Sequence, residues 1–110
     1  SMASENIDVP VENILYLESN HRTMIMHLIN HPRKDFHFYA SITLMEDALS
    51  PIGFLRVHKS YLVNMEYIEI LQYGKVRLKN SVELPVSKNN YTEIKQQYIS
   101  WRGGHRWNIG

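Results

Sequence analysis

Arg56, His58, Lys59 and Ser60 crowd into the middle of the stretch FLRVHKSYLVN, residues 54–64, which is apolar at both ends. Arginine and lysine are permanent donors, a hydroxyl both donates and accepts, and a neutral imidazole does the same with its two nitrogens. A cluster of these types can grip a polyanion, because its cations donate to phosphate oxygens or to the N7 and O6 acceptors of guanine in a major groove. Ser60 and His58 also have the types of a nucleophile and its base. Residues two apart on one strand, however, share a face without the strained turn and oxyanion donors that acyl transfer needs. Lys59 has no carboxylate partner evident in the sequence. No enzymatic activity is expected.

Other chemistry-bearing residues are less well placed. Of the six histidines, His27, His31 and His37 are close in sequence and His21 is near them. They form no HExxH pair and no carboxylate-supported triad at helical spacing, so no metal site is expected. RGGHR, residues 102–106, has neither the preceding strand nor the following helix of a phosphate loop, and no cofactor is expected. The absence of cysteine excludes a disulfide framework, thiolate catalysis and cysteine-ligated metals, and is compatible with a reducing cytoplasm.

A chain of 110 residues, 44% hydrophobic, is enough for one core. No apolar run approaches the roughly 20 residues of a membrane span and no secretory leader precedes the domain, so a soluble cytoplasmic protein is expected, with no membrane partner. The net charge of +1 conceals an asymmetry. The first twenty residues carry Glu5, Asp8, Glu12 and Glu18 without Lys or Arg; all twelve basic residues follow, against seven acids, a surplus of five. Such a distribution hints at a polyanionic partner.

The elements that must position the cluster are short and mostly strands. NILYLES (13–19) and TMIMHLI (23–29) read as a hairpin around the polar NHR, residues 20–22, and FHFYAS (36–41) as a third strand. TLMEDALS (43–50) switches to helical period with Leu44, Ala48 and Leu49 on one face, Thr43 and Glu46 spaced as a capping box, and Pro51 and Gly53 to stop it. YIEILQY, KVRLK and VELPV, jointed at Gly74 and at Asn80–Ser81, read as a meander. Ser87 is placed to cap a last helix with Tyr91, Ile94, Tyr98 and Trp101 as its core stripe. Residues 1–6 read as a tag remnant and linker, 7–101 as the domain, and 102–110 as a flexible tail.

Strict alternation along residues 54–64 would put Lys59 among core candidates and Phe54 and Leu62 among polar ones. Ending the strand near His58 and giving Lys59 and Ser60 to a turn removes the conflict, and the chain re-enters the core at Tyr61. Two readings remain at this point. The polar residues are either a solvated strand edge, blunted against aggregation, or a corner held out for recognition. His58 between apolar neighbours is compatible with a core histidine satisfied by backbone groups.

The stretch FLRVHKSYLVN, followed about twenty residues later by VELPVSKNNY, resembles the signature of the LytTR family of DNA-binding domains. That pattern is an aromatic residue, Arg, an apolar residue, His, a variable residue, Ser, an aromatic, two apolar residues and Asn, and every element is present. ILYLESNHRTMIMHL resembles the family's first hairpin and YASITLMEDAL its small helix, so the similarity spans about residues 7–100.

The resemblance implies a mainly β fold of elongated antiparallel sheets with one short internal helix and a C-terminal helix. It implies sequence-specific binding of double-stranded DNA through inter-strand loops that enter successive major grooves. Carried onto this chain, the contacting positions are His21 and Arg22 in the first hairpin turn, Arg56, Lys59 and Ser60 at the corner, and Lys88 after LPVS. His58 is assigned to holding the corner in shape. Relatives commonly carry Asn, Lys or Arg at the position of Lys59 and often Arg at that of Lys88; lysine at both loses the bidentate fork of arginine, so base preference is not carried over. The implied setting is the output half of a two-component response regulator. Its receiver domain is missing from this chain, and the isolated domain is expected to be a monomer that pairs on direct-repeat promoter sites. Two rival classes are a single-strand binder stacking bases on Phe36, Phe38 and Tyr39 and a protein-interaction module docking through the acidic first twenty residues.

Overall fold

A computed structural model describes residues 8–105. The chain forms β1 (Ile14–Asn20), β2 (Thr23–Leu28), β3 (Asp35–Tyr39), α1 (Ile42–Leu49), β4 (Phe54–His58), β5 (Tyr61–Asn64), β6 (Ile68–Gln72), β7 (Lys75–Leu78), β8 (Glu83–Pro85) and α2 (Tyr91–His105), with short 3-10 turns before β1, after α1 and after β5. The first five strands make an antiparallel sheet in the order β3-β2-β1-β5-β4; β6, β7 and β8 make a second sheet as a meander. The mainly β architecture of two antiparallel sheets with a short internal and a C-terminal helix is the one the sequence leads to.

The larger sheet is buried on both faces, which explains why residues 54–64 resist a simple in-and-out pattern. On one side, Leu55, Val57 and Val63 join residues of the smaller sheet and of α2, including Val76, Leu78, Leu84, Ile94 and Tyr98, in one core. On the other, Phe54, Leu62, Leu17 and Met24 pack with Ile42 under α1 in a second core. Phe54 and Leu62 are therefore apolar because α1 covers their face. Phe54 is only 2% exposed, and burying a side chain of that size contributes about 1.5–3 kcal/mol.

Two bulges supply the remaining irregularity of the larger sheet. The register slips between Ile14 and Tyr16 in β1 and between Arg56 and His58 in β4. An extra residue lets successive side chains share a face, and Leu15 and Tyr16 both enter the first core. In β4, Val57 enters that core while the ring of His58 lies 5.5 Å from that of Tyr61, which packs against the same core. Arg56 is left facing α1.

The helices depart from their expected details. α1 is capped two residues earlier than expected: Ser41, not Thr43, is its cap, its hydroxyl accepting from the Leu44 N–H at 3.3 Å. Its packed residues are Ile42, Met45 and Leu49, whereas Leu44 is 66% exposed and Ala48 faces solvent. α2 begins at Tyr91, and Ser87 instead donates its backbone N–H to the Val57 carbonyl at 2.7 Å, tying the β8–α2 loop to β4. Ile94 and Tyr98 are buried, with Tyr91 and Trp101 against the same core as the stripe requires. α2 continues through Arg102–His105, where an irregular segment is expected; in its last turn His105 Nδ1 donates to the Trp101 carbonyl at 2.8 Å and the two rings stack. The rest of the expected tail, 106–110, and the expected tag remnant and linker lie outside the described residues. No helix among the described residues is long and apolar enough to cross a membrane.

Candidate nucleic-acid interface

Pairing of β1 with β5 brings two turns together. Glu18 pairs with Tyr61, so β1 runs out at Asn20 beside the start of β5, and the Ser19 N–H donates to the Ser60 carbonyl at 2.9 Å. The His21–Arg22 turn and the Lys59–Ser60 turn thus leave the same end of the larger sheet. His21 adopts φ +59, a left-handed conformation tolerated in a tight turn, and both His21 and Arg22 are exposed. The β8–α2 loop reaches that end through Ser87, and a cleft of about 400 Å³ is lined by His58, Lys59, Gly74, Ser87 and Lys88.

The corner at residues 58–60 is held by donors from the protein itself. Arg56 Nε donates to the His58 carbonyl at 2.8 Å and Nη2 to the Lys59 carbonyl at 2.7 Å, while the Ser60 carbonyl is taken by Ser19. Each carbonyl of the turn has a partner, as an ordered backbone requires. The Ser60 N–H donates to His58 Nδ1 at 3.1 Å, which places the ring proton on Nε2. Desolvation, then the charges of Lys59 and Arg56, push the His58 pKa below its usual 6.5, so the ring stays neutral and keeps Nδ1 as acceptor. With its carbonyls bonded within the protein, the turn presents the Lys59 and Ser60 side chains at its tip.

Arg56, expected among the contacting positions, is also bound within the protein. Nη1 donates to Glu46 Oε1 on α1 at 2.8 Å, so three of its five N–H groups are committed within the protein. Its guanidinium is a strut between helix and turn. Lys59 is exposed and Ser60 half-buried at the tip.

Lys88 is backed by the second sheet. Gly74, at φ +82 in the β6–β7 turn, lies under the lysine stem: a Cβ there would sit 3.0 Å from Lys88 Cε. Lys88 Nζ lies 5.6 Å from the centre of the Tyr73 ring, which in turn meets Tyr91 edge-to-face at 5.6 Å. Tyr73, Gly74 and Glu46 are absent from the contact residues expected from the sequence, in which Gly74 reads only as a turn and Glu46 only as part of a capping box; they shape the site from other elements of the chain.

The structure therefore brings His21, Arg22, Lys59, Ser60 and Lys88 to the same end of the larger sheet. Glu18 accepts from or pairs with His27 Nε2 at 2.9 Å beside Tyr16, whose ring stacks on His27 at 4.2 Å. Burial first, then Glu18 and Tyr61, push the Tyr16 hydroxyl up to about 12, so this patch supplies no phenolate. No metal-ligating group of three His, Cys, Asp or Glu side chains exists among the described residues. Phe36 and Phe38 pack against the core under α1, and Arg33 covers the Phe36 ring at 3.7 Å, so the suggested base-stacking platform reduces to the exposed Tyr39.

A family model described as LytTr DNA-binding domain matches residues 4–99. Among solved structures, the chain is similar to one from Bacillus cereus described as the LytTr DNA-binding domain of a methyl-accepting/DNA response regulator. The TM-score is 0.69 at 21% identity, covering 84% of this chain and 86% of that one. No curated protein matches.

Proposed function

Because the chain belongs to the LytTR family of DNA-binding domains, we propose that it binds double-stranded DNA sequence-specifically, its three loops entering successive major grooves. The observation that carries this reading is the gathering of the β1–β2 turn, the β4–β5 turn and the β8–α2 loop at one end, each bearing an exposed cation, Arg22, Lys59 and Lys88. Lys59, Lys88 and His21 are the base-edge donors, suited to guanine N7 and O6. Arg22 and Ser60 bind phosphate and fix the register. Arg56 and His58 hold the central turn and touch no base.

The domain serves as the output half of a transcriptional regulator in a two-component system. Phosphorylation of a receiver domain elsewhere in the full-length protein brings two copies onto neighbouring direct repeats. The isolated domain is then a monomer with weak affinity for one half-site, and a tight obligate dimer in sedimentation would count against that arrangement.

Selection of bound duplexes from a random pool, followed by titration of the selected duplex in rising salt, tests the reading. The three exposed cations, Arg22, Lys59 and Lys88, each displace about one counterion from the duplex and give a slope of log K on log salt of about −3. Preference for single strands, or no enrichment of any duplex, would refute it.

A further inference from the structure

Glu46 lies on α1 at the end that carries the cations, in a cleft of about 430 Å³ that it shares with Arg56, Lys59 and, on the α2 side, Glu93. An acid beside a surface meant for a polyanion repels it, and its removal should tighten binding. The contacts of Glu46 argue for the reverse. Its Oε1 accepts from Arg56 Nη1 at 2.8 Å, and the same guanidinium reaches the carbonyls of His58 and Lys59 through Nε and Nη2. Both side chains are largely shielded, 23% exposed for Arg56 and 35% for Glu46, so the pair is held more firmly than an open surface ion pair. A planar fork with one prong fixed to a helix and two on consecutive turn carbonyls sets the direction in which the Lys59–Ser60 tip leaves the sheet.

We propose that Glu46 is a positioning residue for DNA binding. It orients Arg56, and through Arg56 the β4–β5 turn, so that a negative charge at the interface strengthens the complex. This rests on the reading above, in which Lys59 and Ser60 contact the duplex. α1 thereby becomes part of the recognition apparatus without itself entering a groove.

The sign of one substitution tests it. Glu46→Gln keeps the shape and removes the charge; Glu93→Gln removes a charge from the other side of the same cleft without touching Arg56. Binding to the selected duplex should weaken about five-fold or more for E46Q, as the loss of a charge-assisted hydrogen bond allows, while E93Q binds as tightly as the parent or tighter. In an Arg56→Gln background E46Q should no longer weaken binding. Independently of DNA, amide shifts of His58, Lys59 and Ser60 should move in E46Q and stay in place in E93Q. Unmoved turn amides in E46Q, or tightening equal to that of E93Q, would overturn the positioning role while leaving the DNA-binding reading intact. A parent protein that binds no duplex would overturn both.

Discussion

The backbone N–H of Ser19 donates to the carbonyl of Ser60 at 2.9 Å, where β1 gives way to the first hairpin turn and β5 has yet to begin. The two residues are far apart in sequence, yet this bond and the Glu18–Tyr61 pairing below it fix the Arg22 turn against the Lys59 turn. Because the β-ladder sets their separation, the two cations do not have to be ordered from a mobile loop when a ligand arrives. Preorganisation of that kind lowers the entropic cost of binding.

Lys59→Ala and Lys88→Ala should each weaken binding to the selected duplex by about 1–3 kcal/mol if they read base edges, with discrimination lost at one position each. Loss of a phosphate contact, expected for Arg22→Ala, should weaken all duplexes alike and reduce the salt slope by about one. Titrations on matched and singly mismatched duplexes at two salt concentrations distinguish these outcomes. Unchanged affinity in both lysine variants would remove the corner from the interface.

Gly74→Ala should act on both stability and binding. At φ +82 an added Cβ costs about 1 kcal/mol or more, and at 3.0 Å from Lys88 Cε it also pushes the lysine stem aside. Denaturant midpoints should fall, and duplex affinity, measured where the variant is fully folded, should fall toward that of Lys88→Ala. Full affinity with reduced stability would separate the Tyr73–Gly74 turn from the placement of Lys88.

Much of this arrangement is legible in the sequence, and what is not has physical causes. The turn at Lys59–Ser60 follows from the failure of a two-residue period, and the first hairpin and the meander follow from turn residues between apolar runs. Two-sided burial is hidden, because Phe54 and Leu62 look misplaced until α1 is known to cover their face. Bulges at Leu15 and Val57 put successive residues on one face, which no period anticipates. Leu44 reads as core in a short helix whose apolar residues surround the axis, and only packing selects Ile42, Met45 and Leu49 instead. The Arg56–Glu46 pair joins a strand to a helix ten residues away, so Arg56 reads as a free cation when taken alone.

The His58 pKa gives a pH dependence with a definite sign. It is lowered from 6.5 in the folded protein, so the unfolded chain takes up a proton first as pH falls. The contribution of this group to stability is complete above pH 6.5 and is lost as pH falls from there toward the folded pKa. Protonation puts a hydrogen on Nδ1, the atom that accepts the Ser60 N–H. Urea midpoints should decline below pH 6.5, and in His58→Asn this component should vanish from the difference between pH 7 and pH 5.5. A parent and variant with the same pH profile would show that the ring does not couple to folding.

Asn64, the last residue of the FLRVHKSYLVN stretch, is the one buried polar side chain among the described residues, at 4% exposure. Its Nδ2 donates to the Ile14 carbonyl at 2.9 Å and its Oδ1 accepts from the Glu66 N–H at 3.1 Å, so one amide fastens the start of β1 and caps the 3-10 turn after β5. Asn64→Ala leaves a buried carbonyl without its donor and a turn without its cap, at a cost of about 2–4 kcal/mol from the two losses together. Asn64→Asp keeps the acceptor for Glu66 but faces the Ile14 carbonyl with a second acceptor, so it should recover little. Because Asn64 lies at the end of β5 away from the Lys59 turn, duplex affinity of the folded fraction should stay at the parental value in both variants while the denaturant midpoint drops. Loss of affinity without loss of stability would mean that this end of the sheet also meets the nucleic acid.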